Sequence, residues 1–368
     1  MHTMLEWRKI IMIGSEERNA VLRVMDRGIL SKYQGNWSNA FYGGEEIKAL
    51  EKEWAKYFGV KHSISCNSAT SGLWAACNAI GLNSDDEVIV TPYSMTCSAS
   101  IPILFGAKPV FADIEEDYYC LDPKSVEERI TERTKAIMVV DLFGQPYDRD
   151  AINEIAKRKG KEYGHKIYVI EDVAQASGAK HKGKFAGTLG DIGVFSLNVH
   201  KPIQCGEGGI VVTNDDDLAI KLRLSINHAE AVINDIDIKE DEETLPMKSK
   251  ILEYNLIGMN LRMTELSAAI AREQLKKLDG IVKKSQEDSK YFNVKVRSEC
   301  EHAFYRYAWN IKDDDMSRSS SKFNLKRHYI TPLFKLPLFK QLGYDQEQCP
   351  TCQKVEENII LAWHKETL

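Results

Sequence analysis

Phe195-Ser196-Leu197-Asn198-Val199-His200-Lys201-Pro202-Ile203-Gln204-Cys205-Gly206-Glu207-Gly208-Gly209-Ile210-Val211-Val212-Thr213 is the stretch from which the rest of the chain is read. An apolar run carrying Ser196 leads to one lysine, and a glycine cluster then leads into a strand-like Ile-Val-Val-Thr. Pro202 directly after Lys201 disfavours the α region at the lysine, so Lys201 is expected on a loop rather than inside a helix. Glycines at 206, 208 and 209 permit tight turning and close approach of backbone to a bulky neighbour. A lysine held on such a loop can be partly desolvated, which lowers its pKa and frees the amine as a nucleophile toward a carbonyl. The plain alternative is an exposed lysine in a turn, the usual state of lysines. A second stretch decides between the two.

That stretch is Lys166-Ile167-Tyr168-Val169-Ile170-Glu171-Asp172-Val173-Ala174-Gln175-Ala176-Ser177-Gly178-Ala179. An apolar run of strand length ends in two carboxylates, and small residues follow. In open α/β sheets ligands bind at the carboxyl ends of strands. An acid there, combined with a loop lysine, fits pyridoxal 5′-phosphate, which needs a lysine for a Schiff base and an acid to keep its pyridine nitrogen protonated.

With these residues the chain resembles the DegT/DnrJ/EryC1/StrS family of sugar aminotransferases, fold type I pyridoxal phosphate enzymes. EDVAQASGA (171–179), GTLGDIGVFS (187–196), Lys201 and GEGGIVVT (206–213) carry the resemblance, which runs from about Leu30 to Leu278. NSATSGL (67–73), DEVIVTPYSM (86–95), GAKPVFADIE (106–115), TKAIMVVDLFGQP (134–146) and GMNLRMTELSAAI (258–270) extend it in order. It implies an α/β fold: a large domain with a mostly parallel seven-stranded sheet covered by helices, and a smaller α+β C-terminal domain. The expected division is an N-terminal arm over 1–44, the cofactor-binding domain over 45–250 and the small domain over 251–368.

The resemblance also implies roles. Lys201 carries the cofactor and shuttles the proton, and Asp172 faces the pyridine nitrogen. Gln175 meets the cofactor's phenolic oxygen, and Ala174 lies against the ring. Ser68, Ala69, Thr70 and Ser196 hold the phosphate, with Ala69 standing where the family usually has glycine. The family commonly places an aromatic residue after the proline of PYSM, whereas counting along this chain puts Met95 there; its polarizable sulfur can pack on a π-face. Tyr93 and His200 are candidate substrate contacts. Asn260 is expected to reach a neighbouring subunit's phosphate, which implies a homodimer with shared active sites.

Composition is consistent with this. At 368 residues the chain can build two domains and a large core. A formal net charge of −5 argues against a nucleic-acid surface or a polybasic membrane anchor. No apolar run approaches the ~18 residues of a membrane span, and Ile10-Ile11-Met12-Ile13 is too short for a signal-peptide core. Eight cysteines are scattered without a framework, as expected for reduced thiols in a cytoplasm. Cys349-Pro350-Thr351-Cys352 lacks a second ligand pair, so no metal site is expected.

Along the chain, an amphipathic segment covers Glu16 to Leu30, and Ile47, Leu50, Trp54 and Phe58 fall on one face of a helix over 45–58 that Gly59 should close. His62 to Cys66 is a strand, and Asn67 to Ser71 opens a helix running to about Ile80. Small hydroxyl residues there are ordinary caps; the same turn offers N–H groups and a positive dipole end to a phosphate. Strands at 87–91, 108–113 and 136–142 alternate with helices at 125–131 and 150–158, which implies a parallel, helix-covered sheet. Residues 227–255 are polar and acid-rich and are expected as an exposed loop or flap. Thr264 caps a helix to Leu278. From Val294 onward the resemblance thins, and RSECEHAFYRYAWNIKDDD (297–315) is expected to form a β-hairpin region.

The implied reaction moves an amino group from an amino acid, by family expectation glutamate, to a keto-sugar. A nucleotide-linked acceptor for lipopolysaccharide or another glycoconjugate is the leading expectation, and a free keto-sugar acid such as 8-oxo-Kdo is the alternative. Related sugar dehydratases carry histidine where this chain has Lys201, which counts against them. A non-catalytic regulator or scaffold of the same fold would not require Lys201, Asp172 and Gln175 together. No G-x-G-x-x-G follows a strand, so a dinucleotide-binding enzyme is disfavoured.

Overall fold

The computed structural model describes residues 13–36, 38–230, 254, 256–312, 323–327, 330–344 and 349–364. Most of the expected acid-rich flap (231–253 and 255) lies outside the described residues. The first helix, α1 (Ser15–Arg27), stops where Gly28 enters the left-handed region at φ 69°, and α2 (Glu45–Phe58) stops the same way at Gly59. Next come β1 (His62–Cys66), α3 (Ala69–Ala79), β2 (Glu87–Val90), α4 (Cys97–Leu104), β3 (Lys108–Phe111), α5 (Pro123–Arg129), β4 (Thr134–Val140) and α6 (Arg149–Tyr163). β5 (Tyr168–Asp172), the short β6 (Lys180–His181) and β7 (Lys184–Phe185), β8 (Ile192–Ser196), β9 (Gly209–Thr213), α7 (Asp216–Ile226), α8 (Glu265–Leu275) and α9 (Leu278–Asp288) continue the chain. It closes with β10 (Cys300–Glu301), β11 (Tyr307–Asn310), β12 (Phe323–Arg327), α10 (Pro337–Gln341), α11 (Pro350–Asn358) and β13 (Ile359–His364).

The main sheet has seven strands in the order β1-β9-β8-β5-β4-β2-β3. β2 pairs with β3 and β4, and β4 with β5, all parallel, whereas β1 pairs with β9 antiparallel. Strand, helix, strand repeats supply the parallel pairs, and the uniformly buried β2, β8 and β9 are what a sheet covered on both faces requires. This is the expected fold type I α/β architecture. Among the described residues no helix is long and apolar enough to cross a membrane.

The chain separates into two compact units, residues 1–81 with 194–278 and residues 82–193 with 279–368. In the first unit, Trp54 and Phe58 of α2 stack at 5.0 Å and both meet Phe195 of β8. Gly72 lets α3 approach the sheet, because a Cβ there would lie 2.8 Å from Val194 and 2.9 Å from Val211. Charges inside this unit are paired. Arg223 donates to Glu51 at 2.8 Å, and Arg272 bridges Glu46 and Glu53, each at 2.6 Å.

In the second unit, Ile89, Ile137, Val139 and Val169 of the parallel strands pack with Leu121, Val126, Tyr147 and Ile152 into one apolar core. Each such large side chain removed from water contributes roughly 2 kcal/mol. Phe111 of β3 is ringed by Phe334, Phe339 and Tyr344, and the Tyr344 hydroxyl donates to the Pro109 carbonyl at 2.8 Å.

One expectation is overturned here. The 297–315 segment contains two strands, yet β10 pairs with β6 and β11 with β13, so they form no hairpin together. β11, β13 and β12 instead make a separate three-stranded antiparallel sheet around Tyr307, Trp309 and Phe323.

Candidate active site

The site residues fall in the two units, and each unit positions its own set. In the first, the chain leaves β8 at Ser196, turns through Lys201 and returns to β9. The loop is closed by main-chain bonds: Leu197 N–H to Gly208 O, Cys205 N–H to Leu197 O and Val199 N–H to Gly206 O, each 2.9 Å. Gly206 takes φ 85° at the turn back. Asn198 organises the interior. Its N–H donates to Ser196 Oγ (3.3 Å), its Oδ1 accepts from His200 N–H (3.1 Å), its Nδ2 donates to Glu207 Oε1 (2.9 Å), and its carbonyl accepts from Lys201 N–H (2.9 Å). Lys201 is thereby fixed on a loop, half-buried, with His200 exposed beside it. Asn198 was not singled out from the sequence, although an asparagine bonding backbone two residues on is a known turn device.

β9 then passes beneath the start of α3. A Cβ on Gly209 would lie 2.6 Å from the Ser68 carbonyl carbon and 2.7 Å from the Ala69 nitrogen, so only glycine lets this turn rest on the strand. Ser68 is the N-cap, its Oγ accepting from Ser71 N–H at 3.1 Å. Ala69 and Thr70 are the first two helical residues, whose N–H groups have no acceptor within their own helix. Together with the dipole end they offer donors of the kind that suits an anion. Asn67 N–H donates to the Leu261 carbonyl at 2.7 Å, which ties the turn to the segment carrying Asn260. Asn260 itself is exposed; its Oδ1 accepts from Arg262 Nε at 2.8 Å, and Arg262 also reaches Asn227 Oδ1 and lies over the Tyr33 ring.

In the second unit, Asp172 ends β5, nearly buried, with its Oδ1 accepting from Ala174 N–H at 3.0 Å and its carbonyl from Asp141 N–H at 3.0 Å. Gln175 Oε1 accepts from Phe143 N–H at 3.0 Å, so the amide's donor end is the one that can meet an anionic oxygen. Phe143 is held at φ 59°, a left-handed conformation rare for a large side chain, and this strain sits two residues after Asp141. Met95 is 64% exposed, whereas Tyr93 is fully enclosed, and burial pushes its phenol well above its ordinary pKa. In this arrangement Tyr93 is a core residue that offers a substrate no surface.

The donor set fits pyridoxal phosphate on chemistry: a helix N-terminus seated on a glycine strand and a hydroxyl at Ser196 for a phosphate, a strand-end carboxylate for a cationic ring nitrogen, a carboxamide N–H for a phenolate, and a loop amine. Cys349 and Cys352, in contrast, are buried; burial pushes the Cys352 thiol up, and the backbone N–H groups of Thr351 and Cys352 cap onto Asp113. Among the described residues, the one grouping with metal-ligand spacing is Asp150, His181 and Glu299. Lys182 Nζ already lies 2.6 Å from Asp150 and 3.1 Å from Glu299, so an internal cation serves those carboxylates.

The model of the DegT/DnrJ/EryC1/StrS aminotransferase family matches residues 32–367. GDP-perosamine synthase of Caulobacter vibrioides is 39% identical over 267 residues, 73% of this chain and 63% of that protein. Spore coat polysaccharide biosynthesis protein SpsC of Bacillus subtilis is 31% identical over 372 residues, 95% of this chain and 89% of that protein. Among solved structures, the aminotransferase from Psychrobacter cryohalolentis superposes with a TM-score of 0.80 at 26% identity, covering 97% of this chain and 93% of that one.

Proposed function

The chain belongs to the DegT/DnrJ/EryC1/StrS aminotransferase family, a family of pyridoxal phosphate enzymes, and from that premise we propose that it transfers an amino group from glutamate to a nucleotide-linked keto-sugar. The observation that carries this reading is the Lys201 loop, where a half-buried amine stands on a glycine-closed turn that leads straight into the strand supporting the anion-binding start of α3. The likeness to a GDP-perosamine synthase and to a coat polysaccharide protein supports a sugar acceptor destined for a surface glycan.

Bound pyridoxal phosphate supplies a carbonyl for amine exchange and an electron-withdrawing ring that eases loss of a proton from the substrate carbon. The Ala69 and Thr70 N–H groups, with the Ser68 and Ser196 hydroxyls, bind the phosphate. The Asp172 carboxylate holds the proton on the ring nitrogen, and Gln175 Nε2 donates to the phenolic oxygen. Ala174 and Met95 supply apolar contact. Lys201 Nζ would hold the cofactor through its carbonyl carbon at rest and, when free of it, would serve as the base that takes the proton from the donor's α-carbon and as the acid that returns it. With a keto-sugar the same amine works in reverse. Asn260 completes the phosphate site of a second copy, making the enzyme a homodimer, and His200, exposed next to Lys201, contacts the acceptor.

The test is two absorbance experiments on the purified, cofactor-loaded chain. Glutamate should bleach the visible band of the bound cofactor, and a nucleotide-linked keto-sugar should restore it with release of an amino-sugar nucleotide. A band indifferent to glutamate but bleached by another amino acid would overturn the donor. Restoration only by a free keto-sugar acid would overturn the nucleotide-linked acceptor.

A further inference from the structure

Directly behind Asp172 lies a pair of acids that the reaction described above does not use. β4 and β5 run parallel with Val139 opposite Glu171 and Val140 opposite Asp172, and the next residue, Asp141, donates its N–H to the Asp172 carbonyl. Side chains alternate along a strand, so Glu171 points to the opposite face from Asp172. Asp141 and Glu171 are both completely buried. One oxygen of each is bound by backbone: Asp141 Oδ1 accepts from Tyr147 N–H at 2.8 Å, and Glu171 Oε2 accepts from Leu189 N–H at 3.1 Å and Gly190 N–H at 3.3 Å. The remaining oxygens, Asp141 Oδ2 and Glu171 Oε1, are enclosed and receive no N–H.

We propose that Asp141 and Glu171 share one proton, Asp141 Oδ2–H donating to Glu171 Oε1, and that the resulting single negative charge makes them a positioning pair for the Asp172 carboxylate. Two ionised carboxylates enclosed together would repel in a medium that screens poorly, so one must be neutral. Burial, and then the nearby Glu171 charge, hold the Asp141 carboxyl well above its usual range, and burial raises Glu171 as well. The two N–H groups on Glu171 favour its ionised form and put the proton on Asp141. The other titratable groups facing the pair are Asp172, the Tyr147 phenol and the Cys120 and Cys300 thiols; burial keeps the last three protonated. The pair therefore contributes one unit of negative charge behind Asp172, and it strengthens the field that keeps a proton on a ring nitrogen held there. This second half rests on the assignment of Asp172 to that nitrogen.

The test has two readouts on the full-length, cofactor-loaded protein. Infrared difference spectra at neutral pH, wild type minus Asp141→Asn, in which the half-protonated Glu115 cancels, should show the C=O stretch of a protonated carboxyl, shifted in heavy water, and the same difference should remain when both chains carry Asp172→Asn. No such band in the difference overturns the shared proton. The second readout is cofactor affinity together with the pH at which the visible band titrates. Asp141→Asn keeps an N–H donor to Glu171, and Glu171→Gln passes the charge to Asp141, so each single variant should stay within about threefold of wild type. The double variant loses the charge and should bind the cofactor roughly tenfold more weakly. A double variant indistinguishable from the singles, with the infrared band confirmed in the wild type, leaves the shared proton standing and overturns the positioning role.

Discussion

Lys201 and Glu51 show how differently two charged residues can matter. Lys201 sits half-buried on a loop whose shape is set by Asn198 and the returning glycines. Removing its side chain leaves those bonds intact, so Lys201→Ala should fold with an unfolding free energy within about 0.5 kcal/mol of wild type. It should nonetheless lose at least ~10³-fold in transamination, because proton transfer and cofactor anchoring go together. Stopped-flow reaction with glutamate and a urea titration check the two halves, and turnover near wild type would remove Lys201 from its role. Glu51 is the structural counterpart. Its Oε1 accepts from Ser65 N–H (2.8 Å) and Ser65 Oγ (3.0 Å), and its Oε2 from Arg223 (2.8 Å), which is itself mostly enclosed. Glu51→Ala leaves that guanidinium buried without its counter-charge and should cost about 3 kcal/mol in urea unfolding. Glu51→Gln, which keeps an acceptor, should cost less. Equal losses would show that the charge, and not the hydrogen-bond acceptor that glutamine retains, carries the stabilisation.

At the scale of elements, the contact between β9 and the start of α3 links fold to site. Gly209 is in ordinary strand conformation, so the demand for glycine comes from space and not from a positive φ. In Gly209→Ala the new methyl would stand 2.6 Å from the Ser68 carbonyl carbon, and because the obstacle is backbone the turn itself must move. Overpacking of this kind costs about 1–3 kcal/mol, and the displaced N–H groups should weaken cofactor affinity at least ~10-fold while far-ultraviolet circular dichroism stays unchanged. Wild-type affinity would mean this turn does not hold the phosphate. These elements were legible in the sequence: α2 and its Gly59 stop, β1, the capped α3 and the Asp172 strand all follow from local spacing and punctuation. Pairing over distance was not. Nothing in 297–315 says that Tyr307 will lie opposite Ala362, or Cys300 opposite His181, because strand partners are chosen by a core assembled from remote residues. The helix read over 264–278 also ends early, at Leu275, before α9 begins; Gln274 donates to Glu17 of α1 at 2.6 Å and Lys277 pairs with the same carboxylate. The Asp141–Glu171 pair was illegible for the same reason, since it exists only through the β4–β5 register.

At the scale of the whole molecule, compactness follows strand order more than chain order, which is why 194–278 groups with the N-terminal residues. Global stability offers a test that is independent of the active site. His302 is buried, its Nδ1 accepts from Phe304 N–H at 2.7 Å, and burial lowers its pKa to about 3. Above pH ~6.5 the imidazole is neutral in folded and unfolded chains alike and costs nothing. As pH falls below that value the unfolded chain takes up a proton that the folded one refuses, so stability declines steadily until about pH 3. By pH 5 the loss from this one group is about 2 kcal/mol. Asp150 has the opposite kind of shift, lowered to about 2 chiefly by Lys182, and its contribution is lost only as pH falls from ~3.8 toward that value, outside the interval. Glu115, raised by burial to about 7 despite Arg297, works against His302 within it, favouring the folded state as pH drops from 7. A comparison with His302→Asn, whose carboxamide oxygen can still accept from Phe304, cancels both acids. Urea unfolding at pH 7 and pH 5 should therefore show wild type losing about 2 kcal/mol more than His302→Asn over that interval. Equal losses would mean that the imidazole is protonated without opening the fold, and that the small sheet around Tyr307 admits water.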